Sequence, residues 1–307
     1  MSAVLARRLA HFARGAGEGL RELVARTDQE WAIGLYTGPS PAELEPLRRR
    51  PILTRHDVTD RDADFVADPF LIRTDDRWWM FFEVWSRSRR RGEIGVASSN
   101  DLVDWRYQGI ALSEQFHLSY PLVFEWEGEY YLLPECSATS SVRLYRAAGF
   151  PWQWECVATL LTGGVWLDPT IFRYDDLWWL MVETDKDYGY DTLRLYYSEH
   201  LDRGWREHPA SPVVRGDRQT ARPAGRVVVA DGRPVRFAQD CDGGYGLRVR
   251  AFEISLLTTE EYAERPLGLV LDGAELGWNR RGMHHLDPHQ VAPAAGTGWV
   301  ACVDGWK

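Results

Sequence analysis

Beyond residue 60 the chain alternates short apolar runs, rich in aromatic and β-branched residues, with polar turns, and it does so in copies. The first copy runs from Asp68-Pro69-Phe70-Leu71-Ile72 to Trp78-Trp79-Met80-Phe81-Phe82-Glu83. Another runs from Asp168-Pro169-Thr170-Ile171-Phe172 to Trp178-Trp179-Leu180-Met181-Val182-Glu183. Between them Tyr120-Pro121-Leu122-Val123-Phe124 leads to Tyr130-Tyr131-Leu132-Leu133-Pro134-Glu135. A fourth copy opens at Arg222-Pro223 and reaches Asp240, and a fifth opens at Asp287-Pro288 and reaches Asp304. Two β-rich runs joined by a polar turn predict a hairpin. After the first and third copies a second pair of runs follows, with Ser98 and Ser198 each 29 residues past the repeated proline, and Trp105 and Trp205 each 36 past it.

Four strands recurring every 48 to 65 residues predict one propeller blade per repeat. Prolines 69, 121, 169, 223 and 288 count five blades in an all-β fold. The last copy has a single hairpin, so its outer strands are expected from the N-terminal side, at Trp31 to Tyr36 and Ile52 to His56; this closes the ring and removes exposed edges. The expected organisation is a helical extension over 1–30 followed by a propeller over 31–307. The extension is read from Leu5, Leu9, Phe12, Leu20 and Leu23 at helical spacing, with arginines between them.

Composition adds less. Hydrophobic residues make up 45% of the 307, enough for one large core. Fifteen Trp, thirteen Tyr and eleven Phe serve sheet packing first, with a lean towards stacking on sugar rings. A net charge of −9 without a basic stripe argues against nucleic acid. Residues 1–14 carry arginines that break any signal-like apolar run, and no stretch is long enough to span a bilayer. Four cysteines without a C-x-x-C pair read as reduced thiols. A soluble cytoplasmic protein is the expectation.

Chemistry enters through the hairpin ends. Antiparallel pairing brings the start of each inner strand and the end of its partner to one face of the disc. That face should therefore collect Asp68, Tyr120, Asp168, Arg222 and Asp287 with Glu83, Glu135, Glu183, Asp240 and Asp304. Aspartates also cap turns, so the argument rests on convergence rather than on any single residue. Crowded carboxylates shift one another's pKa, as acid–base pairs require.

The Asp-Pro openings with Ser98, Asp101, Leu102 and Trp105 resemble five-bladed glycosidases of the arabinanase, β-xylosidase and invertase type. The stretch from about Trp31 to Asp304 is more closely similar to the propeller domain at the N-terminus of glucosamine inositolphosphorylceramide transferases and its bacterial relatives. The residues that carry this are His117-Leu118-Ser119-Tyr120-Pro121, Arg222-Pro223-Ala224-Gly225, Ala238-Gln239-Asp240-Cys241 with Tyr245-Gly246, and His284-His285-Leu286-Asp287. The resemblance implies Asp68 as base or nucleophile and Asp168 as a pKa-tuning carboxylate. The Glu-Gly-Pro acid of arabinanase-like enzymes is missing. Glu135-Cys136 resembles the acid of invertase-like enzymes, making Glu135 the preferred acid. Its neighbours Trp126, Tyr130 and Tyr131 are expected to raise its pKa.

The expected activity is cleavage or transfer of a glycosyl group at an acid-lined central pocket, with Asp68, Glu135 and Asp168 catalytic. Glu83, His117, Tyr120, Glu183, Arg222, Asp240, His284, His285 and Asp287 would bind substrate. Arg222 would meet a carboxylate or phosphate, or pair internally with Asp240 or Glu183. No cofactor is required. A central metal ion on His285 and Asp287 is the lesser alternative to hydrogen bonding by those residues. The ligand is a carbohydrate or sugar phosphate. The rival reading is a non-catalytic sugar-binding propeller serving a partner transferase.

Overall fold

The computed structural model describes residues 30–74, 77–184, 187, 189–291 and 298–307; the helical extension expected over 1–30 lies, apart from Glu30, outside them. The described strands form five antiparallel sheets, the blades of a propeller. From the N-terminus come β1 (Trp31–Ser40) and β2 (Glu43–Pro46). The first blade is β3 (Ala63–Thr74), β4 (Arg77–Ser86), β5 (Arg91–Ser99) and β6 (Arg106–Leu112). The second is β7 (Ser119–Trp126), β8 (Glu129–Glu135), β9 (Ser141–Gly149) and β10 (Gln153–Thr162). The third is β11 (Leu167–Tyr174), β12 (Leu177–Glu183), β13 (Thr192–Ser198), β14 (Arg206–Glu207) and β15 (Val214–Arg215), the last two both pairing β13. The fourth is β16 (Val228–Ala230), β17 (Arg233–Asp240), β18 (Arg248–Leu257) and β19 (Tyr262–Leu271). The fifth is β20 (Leu286–Gln290) and β21 (Trp299–Trp306), completed by β1 and β2 in the order β2-β1-β21-β20.

Closure follows the expectation for the first N-terminal strand and corrects it for the second. β1 pairs with β21 from Trp31↔Trp306 to Gly38↔Trp299, so one blade is stitched from both ends of the sequence. The outermost strand is Glu43–Pro46. Ile52 and Leu53 touch β1 only through a bridge at Ile33, and Arg55–Asp57 is a 3₁₀ turn capped by Thr54. The cap explains the difference: Thr54 accepts from the His56 amide while the Asp57 carboxylate accepts from the Thr54 amide, a local bonding scheme that competes with strand pairing.

The fourth blade also departs from the simple repeat. Arg222-Pro223 does not open a continuous inner strand; Pro223 makes an isolated bridge to Ala238, and regular pairing starts only at Val228. Gly225 sits at φ +140°, and a Cβ there would lie 1.7 Å from the Leu286 carbonyl oxygen. Glycine alone permits this approach of the fourth blade to the fifth.

Alternate residues of the strands fill the space between blades, with Phe70, Phe81, Leu122, Leu133, Leu180 and Phe237 at most 1% exposed. All four cysteines are free thiols. Among the described residues no helix is long and apolar enough to cross a membrane.

Candidate functional site

The three copies that open with Asp68, Tyr120 and Asp168 share a backbone irregularity. Each of these residues has positive φ (53°, 47° and 48°), and each lies at a break in register between β3 and β4, β7 and β8, or β11 and β12. Non-glycine residues in this left-handed region cost about 1–3 kcal/mol each and persist where surroundings hold them. Here each amide is held by a carboxylate. Asp304 Oδ2 accepts from the Asp68 amide at 2.9 Å, Asp68 Oδ2 from the Tyr120 amide at 3.3 Å, and Glu135 Oε2 from the Asp168 amide at 3.0 Å.

Two buried clusters result. In one, His284 lies between Asp304 and Asp68: its Nδ1 is 2.7 Å from Asp304 Oδ1 and its Nε2 is 3.5 Å from Asp68 Oδ1. Burial makes Asp68 harder to ionise, His284 opposes this, and the Asp304 charge adds to it. For Asp304, burial is outweighed by His284, which holds the carboxyl below its usual range. In the other cluster Asp168 Oδ2 accepts from Arg222 Nε at 2.6 Å and from Gln239 Nε2 at 2.7 Å. The Arg222 guanidinium lies over the rings of Tyr190 and Tyr245, 4.6 and 5.1 Å from their centres. Burial again opposes ionisation, but Arg222 keeps Asp168 below the usual carboxylate range. Glu135, hydrogen-bonded to that ionised neighbour, is pushed up to about 8 by burial and by the Asp168 charge.

The cause of the Glu135 shift differs from the sequence-based expectation. Glu135 pairs with Ser119 at one end of its hairpin, while Trp126, Tyr130 and Tyr131 lie at the other. Burial at the centre of the ring comes first and the carboxylate of the next blade second, and those rings lie at the far end of the hairpin.

The remaining residues are distributed as follows. Glu83 is buried with its Oε1 3.7 Å from His117 Nε2; because the Gly92 amide donates to His117 Nδ1, neutral His117 carries its proton on Nε2, facing Glu83. Glu183 is buried at the end of β12, opposite Leu167 and Leu193. Tyr120 sends its hydroxyl to Thr170 at 2.8 Å and receives the Gly225 amide at 2.7 Å, fastening the second blade to the third and fourth. Arg222 pairs with Asp168 rather than with Asp240, which instead meets Arg250 and Arg248 at 2.9 and 3.4 Å.

Asp287 is not brought together with His285 as a ligand pair. Its carboxylate meets Arg226 Nε at 2.7 Å, His289 Nε2 at 2.8 Å and the Leu71 amide at 2.6 Å. His285 Nε2 donates to the Pro69 carbonyl at 2.9 Å, which leaves Nδ1 without its proton and with no partner among the described residues, and burial favours the neutral ring. The set with metal-ligand spacing is Asp68, His284 and Asp304, whose ligand atoms lie within 4.8 Å of one another. Both Asp304 oxygens already accept hydrogen bonds, while His284 Nε2 and Asp68 Oδ1 lie 3.5 Å from each other.

Three residues to which sequence reasoning gave no role matter to the site: Asp304, which it did place on the same face, and Gln239 and Arg226. Asp304 had a signal, as the fifth member of the repeat's closing position. Gln239 and Arg226 had none beyond lying within or beside quoted motifs.

The profile of the family described as glucosamine inositolphosphorylceramide transferase 1, N-terminal, matches residues 25–306. This chain belongs to that family. The glucosamine inositolphosphorylceramide transferase 1 of Oryza sativa subsp. japonica is 38% identical over 299 residues, covering 90% of this chain and 40% of the relative. That of Arabidopsis thaliana is 33% identical over 321 residues, covering 96% and 41%. The chain thus spans about two-fifths of the length of these curated relatives. Among solved structures, the catalytic domain of the Coprinopsis cinerea GH62 α-L-arabinofuranosidase aligns over 91% of this chain and 97% of its own, with TM-score 0.59 and 14% identity. An α-L-arabinanase mutant from Cellvibrio cellulosa aligns over 76% and 84%, with TM-score 0.53 and 18% identity. At such identities the likeness is one of fold.

Proposed function

We propose that this propeller is a carbohydrate-active enzyme that cleaves or transfers a glycosyl group in an acid-lined pocket on its axis. One observation carries the reading. Glu135 and Asp168 are neighbouring carboxyls with opposite protonation states near neutrality, one held protonated by burial and charge and the other ionised by Arg222. Such separated pairs are what acid–base chemistry at a glycosidic bond uses. Glu135 is the acid that protonates the leaving oxygen, Asp68, with His284 and Asp304 beside it, the base or nucleophile, and Asp168 the charge that sets Glu135. The curated relatives are named as transferases acting with glucosamine and inositolphosphorylceramide, which favours a non-water acceptor over hydrolysis.

A second reading has its own observation. Glu135 and Asp304 each hold the strained amide of the next blade's aspartate, so the carboxylates also have a purely structural task, and the propeller would then bind sugar for a partner transferase. Calorimetry against a panel of sugars and nucleotide sugars, with turnover measured on glycosides and sugar donors, separates the two. Under the enzymatic reading Asp68→Asn and Glu135→Gln keep binding while turnover falls by about 10²–10⁴. Wild-type turnover in both variants refutes the assignment. Sugar binding by the wild type without turnover of any panel member gives the binding module.

A further inference from the structure

We infer that Gln239 is a specificity-determining residue whose side-chain carbonyl accepts a hydrogen bond from a sugar hydroxyl bound beside the Arg222–Asp168 pair; this rests on the carbohydrate reading above. Gln239 lies in β17, is 1% exposed, and its amide NH₂ is fully committed. Nε2 donates to Asp168 Oδ2 at 2.7 Å and to the Pro223 carbonyl at 2.9 Å. Both partners can only accept, since Asp168 is ionised, so the reverse orientation of the amide would set three acceptors against one another. Oε1 must therefore face away from Asp168, and it has no hydrogen-bond partner among the described residues.

A buried carbonyl oxygen without a donor destabilises the folded state, and such groups in native proteins are met by a ligand or a trapped water. The neighbourhood points to a ligand. Gln239 bonds Asp168 through its side chain and Arg222 through its backbone, the charged pair of the candidate site, and Tyr190 and Tyr245 present ring faces to the same guanidinium. The Gln239 backbone is fixed too, its amide donating to the Arg222 carbonyl at 2.8 Å. Gln239 is thus held rigidly by the groups that would flank a sugar ring, and its carbonyl oxygen requires a donor, which a ligand hydroxyl supplies. A site built around such an acceptor discriminates strongly against a ligand lacking that hydroxyl.

The test is calorimetry of wild type and Gln239→Met with arabinose, xylose, galactose and glucosamine, followed by the monodeoxy forms of whichever sugar binds. Methionine keeps the length of the side chain and removes the acceptor together with the Nε2 donor to Asp168 and Pro223, so the monodeoxy comparison is what isolates the acceptor. The expected result is a loss of affinity of about 5–30-fold in Gln239→Met, and one monodeoxy sugar that binds both proteins equally. If Gln239→Met does not fold, the side-chain amide resonances of Gln239 in the wild type are followed during sugar addition. A shift on binding supports the assignment and its absence overturns it. A wild type that binds a sugar while folded Gln239→Met binds it as tightly overturns this inference alone and leaves water as the occupant. A wild type that binds none of the panel overturns the carbohydrate reading and this inference with it.

Discussion

The Oδ2 atom of Asp304 accepts a 2.9 Å hydrogen bond from the backbone amide of Asp68, 236 residues earlier in the chain. The same carboxylate takes both the amide and Nδ1 of His284. Asp304 therefore fixes, from the closing blade, the left-handed backbone of the first blade's aspartate and the imidazole facing it. Replacing it with alanine leaves a strained amide without its acceptor, so Asp304→Ala should lose about 3 kcal/mol in urea unfolding. A loss below about 1 kcal/mol would show that the clamp is incidental.

The protonation of Glu135 makes stability depend on pH in a set direction. Its folded-state pKa of about 8 stands above its ordinary 4.5, so between those values the folded protein binds more protons than the unfolded chain. Stability then falls as pH rises through that window, by at most about 1.4 kcal/mol per pH unit. Glu135→Gln should flatten the slope between pH 5 and 8 relative to wild type. Parallel wild-type and variant profiles in chemical denaturation would contradict the assignment.

Arg226 joins four blades at one point. From the fourth blade it pairs with Asp287 of the fifth and donates to the carbonyls of Leu71 in the first and Val123 in the second, at 3.1 and 2.8 Å. Arg226→Met leaves Asp287 charged, buried and with its arginine gone, at a cost of about 3–5 kcal/mol. Adding Asp287→Asn should recover part of that loss, since the two act on one interaction. Strict additivity in urea melts would mean that Arg226 acts through its carbonyl contacts alone.

Removing residues 1–40 deletes β1, which supplies eight paired positions to β21. The last blade would be left as a single hairpin with both an open edge and an unclosed ring. The truncated protein is expected to lose its cooperative thermal transition by circular dichroism. A sharp melt near the wild-type temperature would show that β1 is dispensable.

The five-fold repeat, the hairpin within each copy and the need for an N-terminal strand were all legible in the order of apolar and polar residues. Strand pairing depends on side-chain alternation and turn spacing, and both are local properties of the chain. The residues opening and closing each hairpin were legible for the same reason, since hairpin spacing alone brings Asp68 and Asp168 to the ends closed by Glu83 and Glu183, whose paired partners are the preceding residues Ala67 and Leu167. Which partners each of those residues takes was decided only between blades. Asp168 chose Arg222 and Gln239 as partners, Asp287 chose Arg226, and Glu135 took its raised pKa from burial in the assembled ring and from the Asp168 charge. These contacts join residues tens of positions apart, and their strength comes from burial among charges that no single segment contains. The left-handed turns at Asp68, Tyr120 and Asp168 belong to the same class, because a strained backbone persists only where the assembled ring supplies the acceptor that holds it.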